Sequence, residues 1–520
     1  MPTTLPTMTA TITPELQHPY YPIIFVRGYA MTQNEIEDAV ANPYMGFNLG
    51  STKIKQQWNR SIAMHIFESP LLRLMKDYGY QDSFKNGKAS EGPLPARSIH
   101  IYRYYDQAST EIGSGKTPSI PDAAIGLAQL ILNIRDQVCG DDPVARAKFK
   151  LYLVAHSMGG LICRCLLQNP DPSNVKDKQL ADKLKQQVND AKPLVDKVFT
   201  YGTPHNGIDV RLFNLNVPSW LSLFDINNFS RDEIRKYLAL PKGSDRVDSL
   251  NGHFDPARFF CLVGTNYSDY SASRFAIGPM SDGLVKIENA TVADSPRAYV
   301  YRSHSGQFGL VNSEEGYQNL VRFLFGDIYV TGALEVEALP LPPRVAEAKN
   351  AGKQVRASYL FEATVTPRGA FDFNLTERHS EDASAIFREF DELLRPEKSG
   401  REAPRTPILF SLFLDTKKIE IGSTLVFGIK LTVRSTDYEV LSERKTYPAE
   451  VLFDEHITIH ATAQPENWDL RYVLSDQWGD GDIGRTIQYD QNSGLARLPL
   501  ENRKGFQGAL VLGLSEWNQG

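Results

Sequence analysis

The stretch that most constrains the fold of this chain is Val154–Gly160, with the sequence VAHSMGG. The apolar run Phe149–Leu153 precedes it, and the apolar run Leu161–Leu167 follows. This order predicts a buried strand, a tight turn with Ser157 at its apex, and then a helix. In the consensus Gly-x-Ser-x-Gly, small residues let the strand and the helix approach each other closely. Ala155 occupies the first Gly position, and its single Cβ still permits that approach.

A serine in such a turn needs two partners before it can act as a nucleophile. A histidine must accept its proton, and a carboxylate must hold that histidine in the correct tautomer. At turns of this kind the acid and then the histidine are expected later in the chain. Asp282 lies in a Ser-Asp-Gly turn sequence, and His304 follows the strand-like run Ala298–Tyr301, whereas the rival base His205 precedes every candidate acid. Asp-Gly steps and loop histidines are usually ordinary surface features, but order and strand context favour Ser157, Asp282 and His304 as a triad.

Four stretches of the sequence carry a resemblance to a known family: Pro22–Tyr29, Ala155–Gly160, Phe199–Gly207 and Ser281–Val285. Together they resemble the lipase branch of the α/β hydrolases, especially the GPI-inositol deacylase and bacterial triacylglycerol lipase types, over about residues 20 to 325. The resemblance implies a mostly parallel sheet with helices on both faces and activity on carboxylic esters. It also implies an oxyanion hole formed by the backbone N–H groups of Tyr29 and Met158.

The chain departs from the family at Arg27-Gly28, where lipases usually have His-Gly. Backbone donors do not depend on the side chain, so we expect the oxyanion hole to persist. Arg27 is a candidate substrate-binding residue because a guanidinium binds phosphate or carboxylate in a fork. Packing of Arg27 against an acidic residue elsewhere in the protein is an equally good interpretation.

The composition excludes several classes of function. The 520 residues are 42% hydrophobic and 23% charged with a net charge of −6, which is typical of a globular protein and gives no electrostatic case for nucleic acid binding. No apolar segment approaches the length of a membrane span, and the N-terminus lacks the features of a signal peptide. The four cysteines show neither a disulfide framework nor metal-ligand spacing, so we expect reduced thiols and no metal or other cofactor. These features favour a cytoplasmic protein, with export by a signal-free route as the alternative.

Residues 21–330 are predicted to form a catalytic domain after an N-terminal extension, residues 1–20. Near-continuous apolar runs separated by helical patterns indicate a parallel sheet that is covered on both faces. Residues 121–138 have the apolar stripe of a helix. The predicted strands are Tyr21–Val26, Ser98–Tyr104, Phe149–Val154, Val195–Thr200, Phe259–Gly264 and Ala298–Tyr301.

Two insertions are expected to form a helical cap, at about residues 30–90 and 207–256. The first is predicted to be mixed helix and loop. The second contains a dense apolar segment in which Phe213, Trp220 and Phe224 are candidate substrate-binding residues. We interpret this segment as a lid or acyl-chain wall that contacts lipid transiently, against the alternative of a cap helix that simply packs on the domain.

The pattern changes after residue 330. Residues 331–345, which include Leu-Pro-Leu-Pro-Pro, are predicted to be a proline-stiffened linker. Residues 346–520 contain short alternating runs and one helical stretch, Ala383–Leu394, and predict a β-rich, sandwich-like domain. The sequence does not assign a role to this domain, nor does it assign an oligomeric state.

These observations favour a serine hydrolase that cleaves carboxylic esters, most simply lipid esters, through an acyl-enzyme. A second interpretation keeps the triad but makes the enzyme an acyltransferase or an amidase. A third is a lipid- or partner-binding protein whose hydrolase domain is vestigial, although a complete serine, acid and histidine set argues against it.

Overall fold

The computed structural model describes residues 16–28, 33–57, 59–85, 88–169, 177–208, 229–243, 245–269, 279–370, 372–394, 407–419, 422–464, 468–475, 484–490 and 493–518. In the N-terminal part of the chain, up to residue 327, the strands are β1 (Ile23–Val26), β2 (Ser51–Gln56), β3 (Ile62–Phe67), β4 (Gln81–Asp82), β5 (Phe84–Lys85), β6 (Lys88–Ala89), β7 (Ser98–Tyr102), β8 (Leu151–His156), β9 (Val195–Tyr201), β10 (Phe259–Gly264) and β11 (Arg297–Val300). The helices of this part are α1 (Gln33–Ala41), α2 (Pro70–Tyr78), α3 (Ile120–Cys139), α4 (Pro143–Lys148), α5 (Met158–Gln168), α6 (Lys178–Ala191), α7 (Arg231–Tyr237) and α8 (Glu314–Phe325).

Seven strands of the N-terminal part form one parallel sheet in the order β11-β10-β9-β8-β1-β7-β4. The residues of β1, β9 and β10 are buried along their whole length, because helices cover both faces of the sheet. On one face α3 packs against both α5 and α6. On the other face α2 joins α8 through an ion pair between Arg73 and Glu314. This arrangement is an α/β-hydrolase fold, as the sequence predicts.

The order of the strands determines where a site can form. From β1 the chain moves outward to β4 at the edge of the sheet, comes back through β7, and then crosses to β8 on the other side of β1. The connections on the two sides leave in opposite directions, so a crevice opens at the carboxyl ends of β1 and β8. Gly28 follows β1 and Ser157 follows β8. The serine turn therefore lies at the switch point of the sheet.

The insertion at residues 30–90 contains more β-structure than the predicted helix and loop. Besides α1 and α2 it holds two hairpins, β2–β3 and β5–β6. The alternation in Ile62–Phe67 has the period of a strand, and this signal was available in the sequence. In the insertion at residues 207–256 the structure describes a short helix, α7, while residues 209–228 and 244 lie outside the described residues.

The C-terminal part begins with a strand where the sequence predicts a linker. The strands of this part are β12 (Ile328–Ala338), β13 (Val355–Arg356), β14 (Ser358–Pro367), β15 (Thr376–Arg378), β16 (Ile386–Glu389), β17 (Ile408–Leu414), β18 (Thr424–Ser435), β19 (Tyr438–Val440), β20 (Lys445–Tyr447), β21 (Val451–Ala463), β22 (Trp468–Leu474), β23 (Arg485–Thr486), β24 (Gln488–Asp490), β25 (Leu495–Glu501) and β26 (Gln507–Glu516). Its helices are α9 (Pro343–Asn350) and α10 (Phe390–Leu394).

Residues 331–345 are therefore not a free linker. Their first half belongs to β12, which lies between β17 and β26 in a five-stranded antiparallel sheet, and the prolines lead directly into α9. The linker prediction rested on the prolines. The alternating apolar and acidic residues before them are typical of a strand and indicate β12. Similarly, Ile386–Glu389, predicted as helix, pairs with β14 as a strand.

Two antiparallel sheets of the C-terminal part share one buried core, which gives the β-rich, sandwich-like arrangement that the sequence predicts. Phe413 on β17 belongs instead to the core of the N-terminal part, where it packs against Phe323 of α8 and against Trp517. All four cysteines are buried and free. Within the described ranges, no helix is both long enough and apolar enough to cross a membrane.

Candidate active site

Ser157 lies on a strained turn between β8 and α5. Its φ of +54° and ψ of −127° fall in a region that residues with a side chain rarely adopt. The turn is held by the Ser157 N–H, which donates to the carbonyl of Tyr201 on β9 at 2.9 Å. Close packing explains the small residues around it: a Cβ on Gly28 would lie 2.5 Å from the Cβ of Ser157, and one on Gly159 would lie 2.3 Å from the carbonyl oxygen of Val26. The backbone geometry therefore aims the serine hydroxyl into the crevice.

The structure brings Ser157, His304 and Asp282 into one hydrogen-bonded line. His304 Nε2 lies 3.0 Å from Ser157 Oγ, and His304 Nδ1 lies 2.8 Å from Asp282 Oδ2. All three side chains are buried, with exposed fractions of 6%, 3% and 1% for Ser157, His304 and Asp282. Because the carboxylate accepts from Nδ1, the neutral imidazole carries its proton there and leaves Nε2 free to accept from the serine hydroxyl.

The turn after Asp282 holds the carboxylate in place. Its second oxygen, Oδ1, accepts from the backbone N–H groups of Leu284 at 3.0 Å and Val285 at 2.8 Å. The backbone of the next loop is fixed as well, because the His304 N–H donates to the Asp282 carbonyl at 2.8 Å. Gly202, with φ of +54°, leaves the necessary space: a Cβ there would lie 2.9 Å from Asp282 Oδ2. The orientation of this pair is therefore determined by backbone contacts.

His156 is a site residue whose ring the sequence interpretation undervalued. Its Nε2 lies 2.9 Å from the carbonyl oxygen of His304, so that nitrogen must carry the proton and donate it. Burial, together with the neighbouring His304, lowers the pKa of His156 to about 3, which keeps the ring neutral at physiological pH. His156 thereby ties the serine turn to the loop that carries His304. Its place directly before the serine was the only signal for this in the sequence.

One of the two predicted oxyanion donors lies within the described residues. Met158 is the first residue of α5, so its backbone N–H belongs to the helix-terminal donors that have no acceptor within the helix. Tyr29, the other predicted donor, lies outside the described residues. Gly28, directly before it, packs against Ser157.

Arg27 is half-buried and contacts neither a described acid nor the triad. Its Nη1 donates to the carbonyl of Met45. It lines a pocket of about 390 Å³ beside the serine turn, together with Met45, Phe47, Leu49, His156 and Val311. The Arg27 guanidinium thus borders this pocket.

The loop that carries His304 is anchored on α8. Arg302 and Glu315 form a buried bidentate ion pair, with both N–O distances at 2.9 Å.

The rival base His205 is not part of the hydrogen-bonded line from Ser157 to Asp282. It is buried, and its Nε2 contacts Thr200 Oγ1 at 3.1 Å. Burial lowers the pKa of His205 well below its usual range.

The C-terminal part covers the edge of the parallel sheet next to this loop. Side-chain oxygens of Ser411, Thr376 and Glu377 accept from alternate N–H groups of the edge strand and its extension. These donors are the backbone N–H groups of Arg297 at 2.8 Å, Tyr299 at 3.0 Å and Tyr301 at 3.0 Å, respectively. Burial, reinforced by the Glu315 carboxylate, raises the pKa of Glu377 to about 7. The C-terminal part is therefore bonded directly to the strand that leads to His304.

The remaining predicted substrate-binding residues, Phe213, Trp220 and Phe224, lie outside the described residues. Among the residues that the structure describes, Glu362, His379 and Glu381 place ligand-type atoms within 4.8 Å of one another. They lie in the C-terminal part, and Glu362 already accepts from Ser380 and pairs with Arg434 at 3.3 Å. Internal hydrogen bonds and an ion pair account for this cluster.

No family model matches this chain, and no curated protein matches it by sequence. Three solved structures are similar to parts of it. A candidate cell surface hydrolase from Lactobacillus plantarum WCFS1 is 14% identical with a TM-score of 0.22, and the match covers 59% of this chain and 91% of that chain. Aspergillus fumigatus lipase B is 13% identical with a TM-score of 0.28, covering 59% and 52%. The Tle4–Tli4 complex is 14% identical with a TM-score of 0.20, covering 47% and 57%. Similarity this low carries no information about activity.

Proposed function

We propose that this protein is a serine hydrolase that cleaves carboxylic esters through an acyl-enzyme. The observation that carries the proposal is the continuous line from Ser157 through His304 to Asp282, with the serine on a strained turn at the switch point of the sheet. Backbone strain at an exposed surface turn would have no obvious use, whereas at a nucleophile it aims the reactive oxygen.

In the first half of the proposed reaction, Ser157 Oγ attacks the ester carbonyl carbon while its proton passes to His304 Nε2. The imidazolium that forms is stabilised by the Asp282 carboxylate. The proton on Nε2 then passes to the alkoxy oxygen as the C–O bond breaks, and the alcohol leaves. In the second half, water attacks the acyl carbon while His304 Nε2 removes its proton. The bond between the acyl carbon and Ser157 Oγ then breaks as Nε2 returns the proton to Oγ, and the carboxylic acid leaves.

The negative charge that develops on the carbonyl oxygen needs donors that are already in place. The N–H of Met158 is such a donor, because it belongs to the N-terminus of α5 and needs no rearrangement during the reaction. Tyr29 is proposed as the second donor by family resemblance. A single donor of this kind is worth about 3 kcal/mol of transition-state stabilisation.

Lipid esters are the proposed substrate class. The support comes from the resemblance to the lipase branch and from the apolar segment around Phe213, Trp220 and Phe224 in the sequence. The apolar residues in the lining of the pocket that borders His156, which are Met45, Phe47, Leu49 and Val311, also support it. Phospholipids are a proposed subclass because the Arg27 guanidinium borders that pocket and, among the described residues, donates only to the Met45 carbonyl.

The proposal is tested by hydrolysis of ester series with increasing acyl-chain length, by wild type and by Ser157→Ala. Wild type should release acid from several esters, and Ser157→Ala should lose at least a thousandfold in kcat/KM while unfolding at the same temperature. Turnover that persists in Ser157→Ala would refute the proposed nucleophile. Hydrolysis of amides in preference to esters would overturn the substrate class.

Two features of the substrate have separate tests. Replacing Phe213, Trp220 and Phe224 with serine should depress hydrolysis of long-chain esters selectively, and an equal loss of short-chain ester hydrolysis would contradict a lid role.

Arg27→Gln should reduce hydrolysis of phospholipid relative to a neutral ester of the same chain length. An unchanged ratio would show that Arg27 has a packing role instead.

A further inference from the structure

The β2–β3 hairpin presents its apolar side chains to solvent. The pairing places Thr52 opposite Ile66, Ile54 opposite Met64, and Gln56 opposite Ile62, so these six residues share one face. All six are exposed, and the exposed fractions of Ile54, Ile62, Met64 and Ile66 are 70%, 65%, 76% and 84%. We call the set of Ile54, Ile62, Met64 and Ile66 the aliphatic face. Large apolar side chains on a hairpin normally point toward the protein, so the polarity of this hairpin is inverted.

The inverted polarity is held by the opposite face of the hairpin. There Lys55 forms an ion pair with Asp269, and its ammonium lies 4.6 Å from the centre of the Phe308 ring. The ring of His65 contacts the guanidinium of Arg302 at 3.3 Å and meets Phe308 edge-on. Because a shift of one residue in either strand would turn these groups outward, the contacts fix the face that the hairpin exposes.

The hairpin packs on the loop that carries His304. Arg302 and Phe308, which contact the inner face of the hairpin, belong to the loop that carries His304. Ser51 Oγ on β2 also donates to the carbonyl of Asn312, which follows this loop in the chain, at 3.4 Å. Leu49, just before β2, is 54% exposed and lines the pocket that borders the serine turn. Apolar side chains are therefore exposed both on the hairpin and at the rim of the pocket.

The charge of the segment selects among possible partners. Residues 49–67 contain Lys53, Lys55 and Arg60 and no acidic residue, whereas the whole chain has a net charge of −6. Lys53 shares the inner face with Lys55, and its ammonium lies 5.3 Å from the centre of the Phe308 ring, whereas Arg60 is exposed in the turn. Aliphatic side chains next to a cationic turn suit the boundary between acyl chains and anionic headgroups. Protein interfaces, in contrast, depend mainly on aromatic residues and arginine, which the aliphatic face lacks.

We propose that the aliphatic face docks on the surface of a bilayer that contains anionic lipid. Docking places the four aliphatic side chains among the outer acyl segments, with Arg60 at the headgroups. The pocket beside Ser157 then opens toward the lipid surface. The docking itself is independent of catalysis, while its value for substrate access rests on the proposed ester hydrolysis.

The test is co-sedimentation of the full-length protein with vesicles of phosphatidylcholine alone and of phosphatidylcholine mixed with phosphatidylglycerol. The wild type and Ser157→Ala should bind the mixed vesicles equally, which separates docking from hydrolysis. Ile54→Ser combined with Ile66→Ser should weaken binding at least tenfold. The matched control is Val144→Ser combined with Leu180→Ser, which replaces exposed aliphatic residues on α4 and α6 and should leave binding unchanged.

A further variant tests the charge. Arg60→Glu should weaken binding to the mixed vesicles and reduce its salt dependence. Thermal unfolding of every variant reports whether the fold is intact. Absence of wild-type binding to the mixed vesicles, or equal binding by the Ile54 and Ile66 double variant, would overturn the proposal. A wild-type dimer in solution that this double variant converts to a monomer would also overturn it, by identifying a second copy of the chain as the partner.

Discussion

The ionisation of Glu377 should make the unfolding free energy of this protein depend on pH. This carboxylate is 8% exposed and accepts from the Tyr301 N–H and from Asn374 Nδ2, each at 3.0 Å. Burial raises its pKa from 4.5 to about 7, which means that the folded protein holds the proton more tightly than the unfolded chain does. The unfolding free energy should therefore fall as pH rises from about 4.5 to about 7, by about 3 kcal/mol for this difference in pKa.

The variant Glu377→Gln isolates this contribution. Glutamine keeps the volume and one oxygen that can accept from the Tyr301 N–H, but it does not ionise. Asn374 must rearrange to meet the new amide, and this cost should be the same at every pH. The difference in unfolding free energy, variant minus wild type, should thus increase by about 3 kcal/mol between pH 4.5 and pH 8.

The measurement is urea unfolding of both proteins across this pH range, with equal dependence on urea as the check that the same transition is compared. Glu501→Gln, at an exposed glutamate on β25, is the matched control and should follow the wild type at every pH. Parallel curves for wild type and Glu377→Gln would refute the reasoning, because they would show that Glu377 binds protons equally in the folded and unfolded chain.

Three further substitutions test the packing of the site and its support. Gly28→Ala would place a Cβ 2.5 Å from the Cβ of Ser157, so ester hydrolysis should fall at least tenfold, whereas Gly92→Ala, which has open space, should be neutral; equal rates would contradict the tight packing. His156→Phe removes the donor to the His304 carbonyl and should lower kcat more than it changes KM, and a pure KM effect would argue against a positioning role. Trp517→Ala removes ring contacts with Phe323 and Phe413 and the indole bond to the Phe323 carbonyl at 2.8 Å. It should lower the unfolding free energy by about 3 kcal/mol in urea titrations, and a change below about 0.5 kcal/mol would mean that the C-terminus is not docked as described.

The parallel sheet was predictable because each of its main strands is a short apolar run between helical patterns. The strand from 259 to 264 has the predicted bounds, and the others agree within a few residues, since burial on both faces leaves an unmistakable apolar signal. The serine turn was predictable for a different reason. A strand and a helix that approach so closely require small residues between them, and Gly159 and Gly160 are such residues.

Other features depend on contacts between residues far apart in the chain. The sequence of residues 51–67 has the pattern of an ordinary amphipathic hairpin. No local residue indicates which face of the hairpin packs on the protein and which is exposed to solvent. The bonds from Glu377 to Tyr301 and from Trp517 to α8 join segments separated by 76 and 194 positions. A helix was predicted for residues 383–394, but Ile386–Glu389 form a strand, because pairing with β14 outweighs the local helix propensity. Similarly, the importance of the His156 ring follows only from the position of the His304 loop.

The central claim is that Ser157 is a nucleophile activated by His304 and Asp282. It is tested most directly by covalent labelling with a fluorophosphonate probe, followed by mass spectrometry of the labelled peptide. We predict that wild type is labelled at Ser157, that Ser157→Ala takes no label, and that His304→Ala and Asp282→Ala are labelled far more slowly. Absence of label on folded wild type, or label at a residue other than Ser157, would contradict the account.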